Sequence, residues 1–76
     1  MIIGVTRQDI KVGVRWNAGR CPIALAIRRQ AAIGDVVVAG HYAQFDGWTW
    51  NLPREVSDFM AAYDAGRQVF PFDFEL

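Results

Sequence analysis

Apolar positions along this chain change period several times, and each period predicts a different element. Residues 1–5, Met-Ile-Ile-Gly-Val, are apolar and β-prone and read as a strand or extended lead. Thr6-Arg7-Gln8-Asp9-Ile10 then suits a turn or short helical piece before residues 11–14. Asn17, Gly19 and Pro22 break the chain, after which Ile23, Ala26 and Ile27, with Ala24 and Ala31, recur at helical spacing and predict a helix over residues 22–32. Proline is favoured at the first helical position, where its missing N–H has no intrahelical partner, so Cys21 is the expected N-cap.

Period-two alternation follows. A valine run at 36–38 leads through Gly40, read as a bulge or bend, into two segments joined by Asp46-Gly47. Asp-Gly between alternating segments is a strong hairpin signal, because a type I′ turn needs positive φ at both central residues. A two-residue turn sets Phe45 opposite Trp48, Ala43 opposite Trp50 and His41 opposite Leu52 on one face. Gln44, Thr49, Tyr42 and Asn51 share the other, and a one-residue slip would scatter the aromatics over both.

Pro53 opens a second helix with Glu55 in its first turn; Val56, Phe59, Met60 and Tyr63 form its apolar stripe, and Gly66 suits a left-handed C-terminal cap. Residues 68–76 read as extended. Phe70, Phe72, Phe74 and Leu76 alternate with Pro71, Asp73 and Glu75, which predicts a half-buried strand with the phenylalanines inward. Pro71 and the outward acids mark it as an edge. The expected fold is one α+β domain over residues 1–76, with two helices packed on a mainly antiparallel sheet, a central Asp-Gly hairpin and a C-terminal edge strand.

Size and charge narrow the functions. A chain of 76 residues has room for one core of modest net stability, so oligomerisation is an open route to more. A single cysteine excludes an internal disulfide. No apolar run approaches the roughly 20 residues of a membrane span, so the chain reads as soluble and cytoplasmic, with no membrane partner expected. Its zero net charge argues against non-specific nucleic-acid binding, yet residues 1–30 sum to plus five and residues 31–76 to minus five. Arg15, Arg20, Arg28 and Arg29 are expected to form a basic patch near the first predicted helix, and Asp58, Asp64, Asp73 and Glu75 an acidic surface. Intermixing of the two sets is the alternative.

Candidate chemistry is sparse. A thiol at a helix N-terminus tends toward thiolate, but Cys21 has no second cysteine beside it and the one histidine, His41, lies in another element. A packing and capping role is therefore expected, with no catalytic residue. No Cys, His, Asp and Glu spacing matches a structural metal site, and no cofactor is expected. Trp48 and Trp50 suit either the core or a stacking or interface surface, with Trp48, beside the turn, the more exposed.

"CPIALAIRR" at 21–29, "DI" at 9–10 and "LPREVSDFMAAYDAGRQVFPFDFEL" at 52–76 together resemble a family of small uncharacterised proteins encoded by bacteriophages, prophages and some bacteria. The Cys-Pro helix opening and the ending from "YDAG" to "PFDFEL" are the markers. The family brings no catalytic residue to transfer. The resemblance implies an accessory protein that binds a host protein or complex stoichiometrically, with inhibition of a defence system, CRISPR effectors included, as its expected use. Expected partner-binding residues are Arg15, Trp16, Arg20, Arg28, Arg29, Trp48, Asp73 and Glu75, with the last two beside the free edge of the final strand. The competing reading is a small nucleic-acid-binding module using Arg15, Arg20, Arg28 and Arg29 with Trp16 as a stacking aromatic.

Overall fold

The two ends of the chain and its middle build separate sheets. In the computed structural model, which describes residues 1–76, β1 (Ile2–Val5) and β5 (Phe72–Glu75) pair antiparallel with Ile3 opposite Phe74 and Gly4 opposite Asp73. The second sheet is an antiparallel meander of β2 (Val37–Ala39), β3 (Tyr42–Phe45) and β4 (Trp48–Asn51). Three helices complete an α+β fold: α1 (Arg7–Val12), α2 (Pro22–Gln30) and α3 (Arg54–Asp64).

The β3–β4 register is the one that alternation and Asp-Gly dictate, with Phe45 opposite Trp48 and Ala43 opposite Trp50. Asp46 and Gly47 both have positive φ, +55° and +79°, as a type I′ turn requires. The Leu52 N–H continues the ladder to the His41 carbonyl at 2.8 Å. Gly40 does more than bend the chain: with φ +58° it occupies the first central position of a second tight turn, and the valine run becomes β2, with Val38 opposite Ala43.

α2 lies against both sheets and α1, so its Ile23, Ala24, Ala26 and Ile27 join Ile3, Val5 and Phe74 of one sheet to Val38, Ala43 and Phe45 of the other. Val56, Phe59 and Tyr63 of α3 close the same core. α1 is too short to persist alone, and a capping box holds it. The Asp9 N–H donates to the Thr6 hydroxyl at 3.1 Å, and the Thr6 N–H to Asp9 Oδ2 at 2.9 Å. α3 ends in a Schellman motif: Gly66 at φ +79° lets its N–H reach the Tyr63 carbonyl at 3.0 Å and the Arg67 N–H reach that of Ala62 at 2.9 Å. Pro53 is the α3 N-cap rather than a first-turn residue and provides no side-chain cap.

The C-terminal strand is an edge, paired only with β1, but it starts later than alternation suggests. Residues 68–71 are irregular, and Pro71 precedes the strand instead of lying within it. The period of two therefore does not extend back to Phe70, which is 64% exposed. Phe72 and Phe74 do point inward, Phe72 against Phe59 at a centroid separation of 4.9 Å.

Candidate functional site

The most heavily secured irregular segment is the loop of residues 13–20 between α1 and α2. Within it, the Val14 N–H donates to the Arg20 carbonyl at 2.9 Å, the Cys21 N–H to the Asn17 carbonyl at 2.9 Å, and the Gly19 N–H to Asn17 Oδ1 at 3.1 Å. From outside, α2 holds it through Arg28 Nη2 to the Gly19 carbonyl at 2.9 Å. β2 holds it through the Val38 N–H to the Ala18 carbonyl at 2.9 Å. At the C-terminal end of α3, Arg15 Nε donates to the Tyr63 carbonyl at 3.1 Å, and its guanidinium lies 5.8 Å from the Tyr63 ring centroid. A cation is favoured there by the helix dipole and by the ring face. The Tyr63 hydroxyl in turn donates to the Ile10 carbonyl at 3.2 Å.

Trp16 stands at the crest of this loop. Its backbone is left-handed, φ +58°, a region that bulky L-residues avoid because Cβ crowds the following carbonyl. Asp64 Oδ1 accepts the Trp16 N–H at 2.9 Å, which holds the peptide in place, and the side chain is 79% exposed. Beside it runs a shallow hollow of about 450 Å³ whose walls are Trp16, Ala18, the Gly40-His41 turn, and Met60 and Ala61 of α3. Ser57 Oγ donates to the Gly40 carbonyl at 3.2 Å and ties that turn to α3. On the loop's other flank, Val12, Val14 and Val37 expose apolar surface beside Arg20, Arg28 and Asp35.

The four arginines do not make one patch. Arg20 and Arg28 share the valine-lined hollow, whereas Arg15 lines another with Lys11 and Arg67. Arg29 reaches across to β1, pairing with the buried Asp9 and donating to the Gly4 carbonyl at 3.0 Å. Of the acids, Asp64 lies among them, serving the loop that carries Arg15, while Glu75 pairs with the Met1 amino group. Burial by itself would raise the Asp9 pKa, but the Arg29 bond and the Thr6 bonds outweigh it and hold the carboxyl below its ordinary value.

Cys21 is the α2 N-cap, its Sγ accepting the Ala24 N–H at 3.4 Å. It is fully buried, and that burial raises the thiol pKa against the pull of the helix N-terminus, in keeping with the packing and capping role expected of it. Trp48 is 70% exposed. Trp50 is half-buried, stacked on Phe45 at 5.1 Å, with an indole N–H that finds no partner within the chain. No three of the His, Cys, Asp and Glu side chains converge, and no helix is long and apolar enough to cross a membrane. No family model, no curated protein and no solved structure matches the chain.

Proposed function

We propose that this chain is a stoichiometric protein-binding module whose anchor is Trp16. The observation that carries it is the placement of a mostly exposed tryptophan on left-handed backbone, in a loop tied down from α2, β2 and α3. Strained backbone persists only where its surroundings over-determine it, and such strain clusters at functional positions. Tryptophan and arginine are the commonest binding anchors, and a rigid anchor loses little entropy on docking. Val14, Val37, Arg20 and Arg28 line a separate hollow against the same loop, an apolar and cationic surface that suits a partner with acidic surroundings. The resemblance to small phage proteins sets the expected partner among host proteins, with inhibition of a defence complex as the use.

Protein is favoured over nucleic acid because Arg15 and Arg29 direct donors to the Tyr63 carbonyl and to Asp9 instead of outward. The test is capture from a host-cell lysate, reconstitution of the complex from purified components, and a parallel titration with short DNA and RNA at two salt concentrations. A reconstituted one-to-one protein complex with no nucleic-acid binding at low salt is the expected result. Nucleic-acid affinity that falls steeply with salt would overturn it.

A further inference from the structure

We infer that β4 is a self-association edge, along which two copies pair antiparallel about a two-fold axis at Trp50. Exposed strand edges are templates for pairing, and folded chains usually cover or charge them. Three of the four edges here are treated in that way. On β1, the Gly4 N–H donates to Gln30 Oε1 at 2.9 Å and the Gly4 carbonyl accepts from Gln30 Nε2 at 2.7 Å, so a side-chain amide takes the place of a strand. On β2, the outward Val38 N–H is taken by Ala18. On β5, the two residues whose peptide groups face outward, Asp73 and Glu75, are both acidic, Glu75 turning its carboxylate back to the Met1 amino group.

β4 has none of these devices. Bonded pairs alternate from the tight turn through Phe45–Trp48, Ala43–Trp50 and His41–Leu52, so the peptide groups of Thr49 and Asn51 face away from β3. Trp48-Thr49-Trp50-Asn51 carries no charge, and Trp48, Thr49 and Asn51 are exposed.

A second copy fits this edge in one register. With Trp50 opposite its twin, Thr49 faces Asn51 of the other copy on both sides of the axis, and all four outward N–H and C=O pairs are used. Gly47 then faces Pro53, which has no N–H to offer, so the ladder closes there. A shift of two residues in one direction brings Pro53 against Thr49, and in the other brings Asp46 against Leu52. The product is a continuous six-stranded antiparallel sheet, and this inference is independent of the role given to Trp16.

Sedimentation of the full chain tests it, with Thr49→Pro as the decisive variant. The new ring removes only an outward N–H, a position where edge strands tolerate proline. By symmetry it deletes two interchain bonds, so dimerisation should weaken by about a hundredfold while the circular dichroism spectrum is retained. Should Thr49→Pro not fold, cysteine pairing decides. Thr49→Cys with Asn51→Cys should cross-link two chains under mild oxidation, because directly opposed Cα atoms lie within disulfide reach, whereas Thr49→Cys alone should not. A wild-type monomer at millimolar concentration, a dimer unaffected by Thr49→Pro, or cross-linking by Thr49→Cys alone would each overturn the inference, the first leaving the edge to a foreign strand.

Discussion

Trp16 has φ +58° and a side chain 79% exposed to water, so it contributes strain and little packing. Left-handed backbone costs an L-residue about 1–2 kcal/mol, while glycine gives back about 0.5–1 kcal/mol through the flexibility of the unfolded chain. Trp16→Gly should therefore melt at the same temperature or a few degrees higher, and a drop of several degrees would show that the indole packs. Cys21 is the opposite case, buried and unstrained. Cys21→Ser keeps a capping oxygen but buries a hydroxyl whose proton has no acceptor, which costs about 1–2 kcal/mol. At roughly 4–8 °C per kcal/mol for a domain of this size, thermal denaturation will resolve the loss. Binding to the partner should be unchanged in the folded variant. The packing role of Cys21 is legible from Pro22 beside it, but the strain at Trp16 is not visible from neighbouring residues: Asn17 and Gly19 signal a break, and what holds the Trp16 peptide is Asp64, 48 positions away.

Elements whose signals are local were legible in advance, and those that depend on distant partners were not. The β3–β4 register follows from alternation plus Asp-Gly, and the α3 stop from Gly66. Gly66→Ala should cost about 1–2 kcal/mol by thermal melting, purely through the backbone, since the nearest atom to an added Cβ is the Arg15 guanidinium carbon at an ordinary 3.9 Å. The Gly40 turn looks like a bend in sequence because its flanking segments are short, and alternation points Phe70 inward because it continues in sequence past the point where pairing with β1 ends. α1 was legible only as a turn or helical piece, since its stability comes from Asp9 capping Thr6 and meeting Arg29 of α2. Asp9 is held below its ordinary pKa of about 3.9 in the folded chain. Its stabilisation is thus complete above that unfolded-state value and is lost as pH falls through the lower folded one. Asp9→Asn should flatten the acid limb of the stability profile below about pH 4, as followed by denaturant unfolding at a series of pH values.

At the scale of the molecule, three helices and two small sheets share one core while much apolar surface stays outside, including Trp16, Trp48, Val37 and Phe70. Sequence halves of opposite charge suggested a dipolar surface, but folding brings Arg15 to the end of α3 beside Asp64 and Arg29 to Asp9. Position in sequence does not determine position in space, and several cations serve as internal clamps. Two of them, Arg15 and Arg28, secure the loop at 13–20, which is held in place with an indole turned outward. The affinity of the purified partner for Trp16→Ala, measured by calorimetry beside the variant's melting curve, tests this most directly. The expected result is a loss of at least 2 kcal/mol, about thirtyfold in Kd, with a melting temperature no lower than that of the wild type. Affinity within twofold of wild type in the folded variant would contradict it.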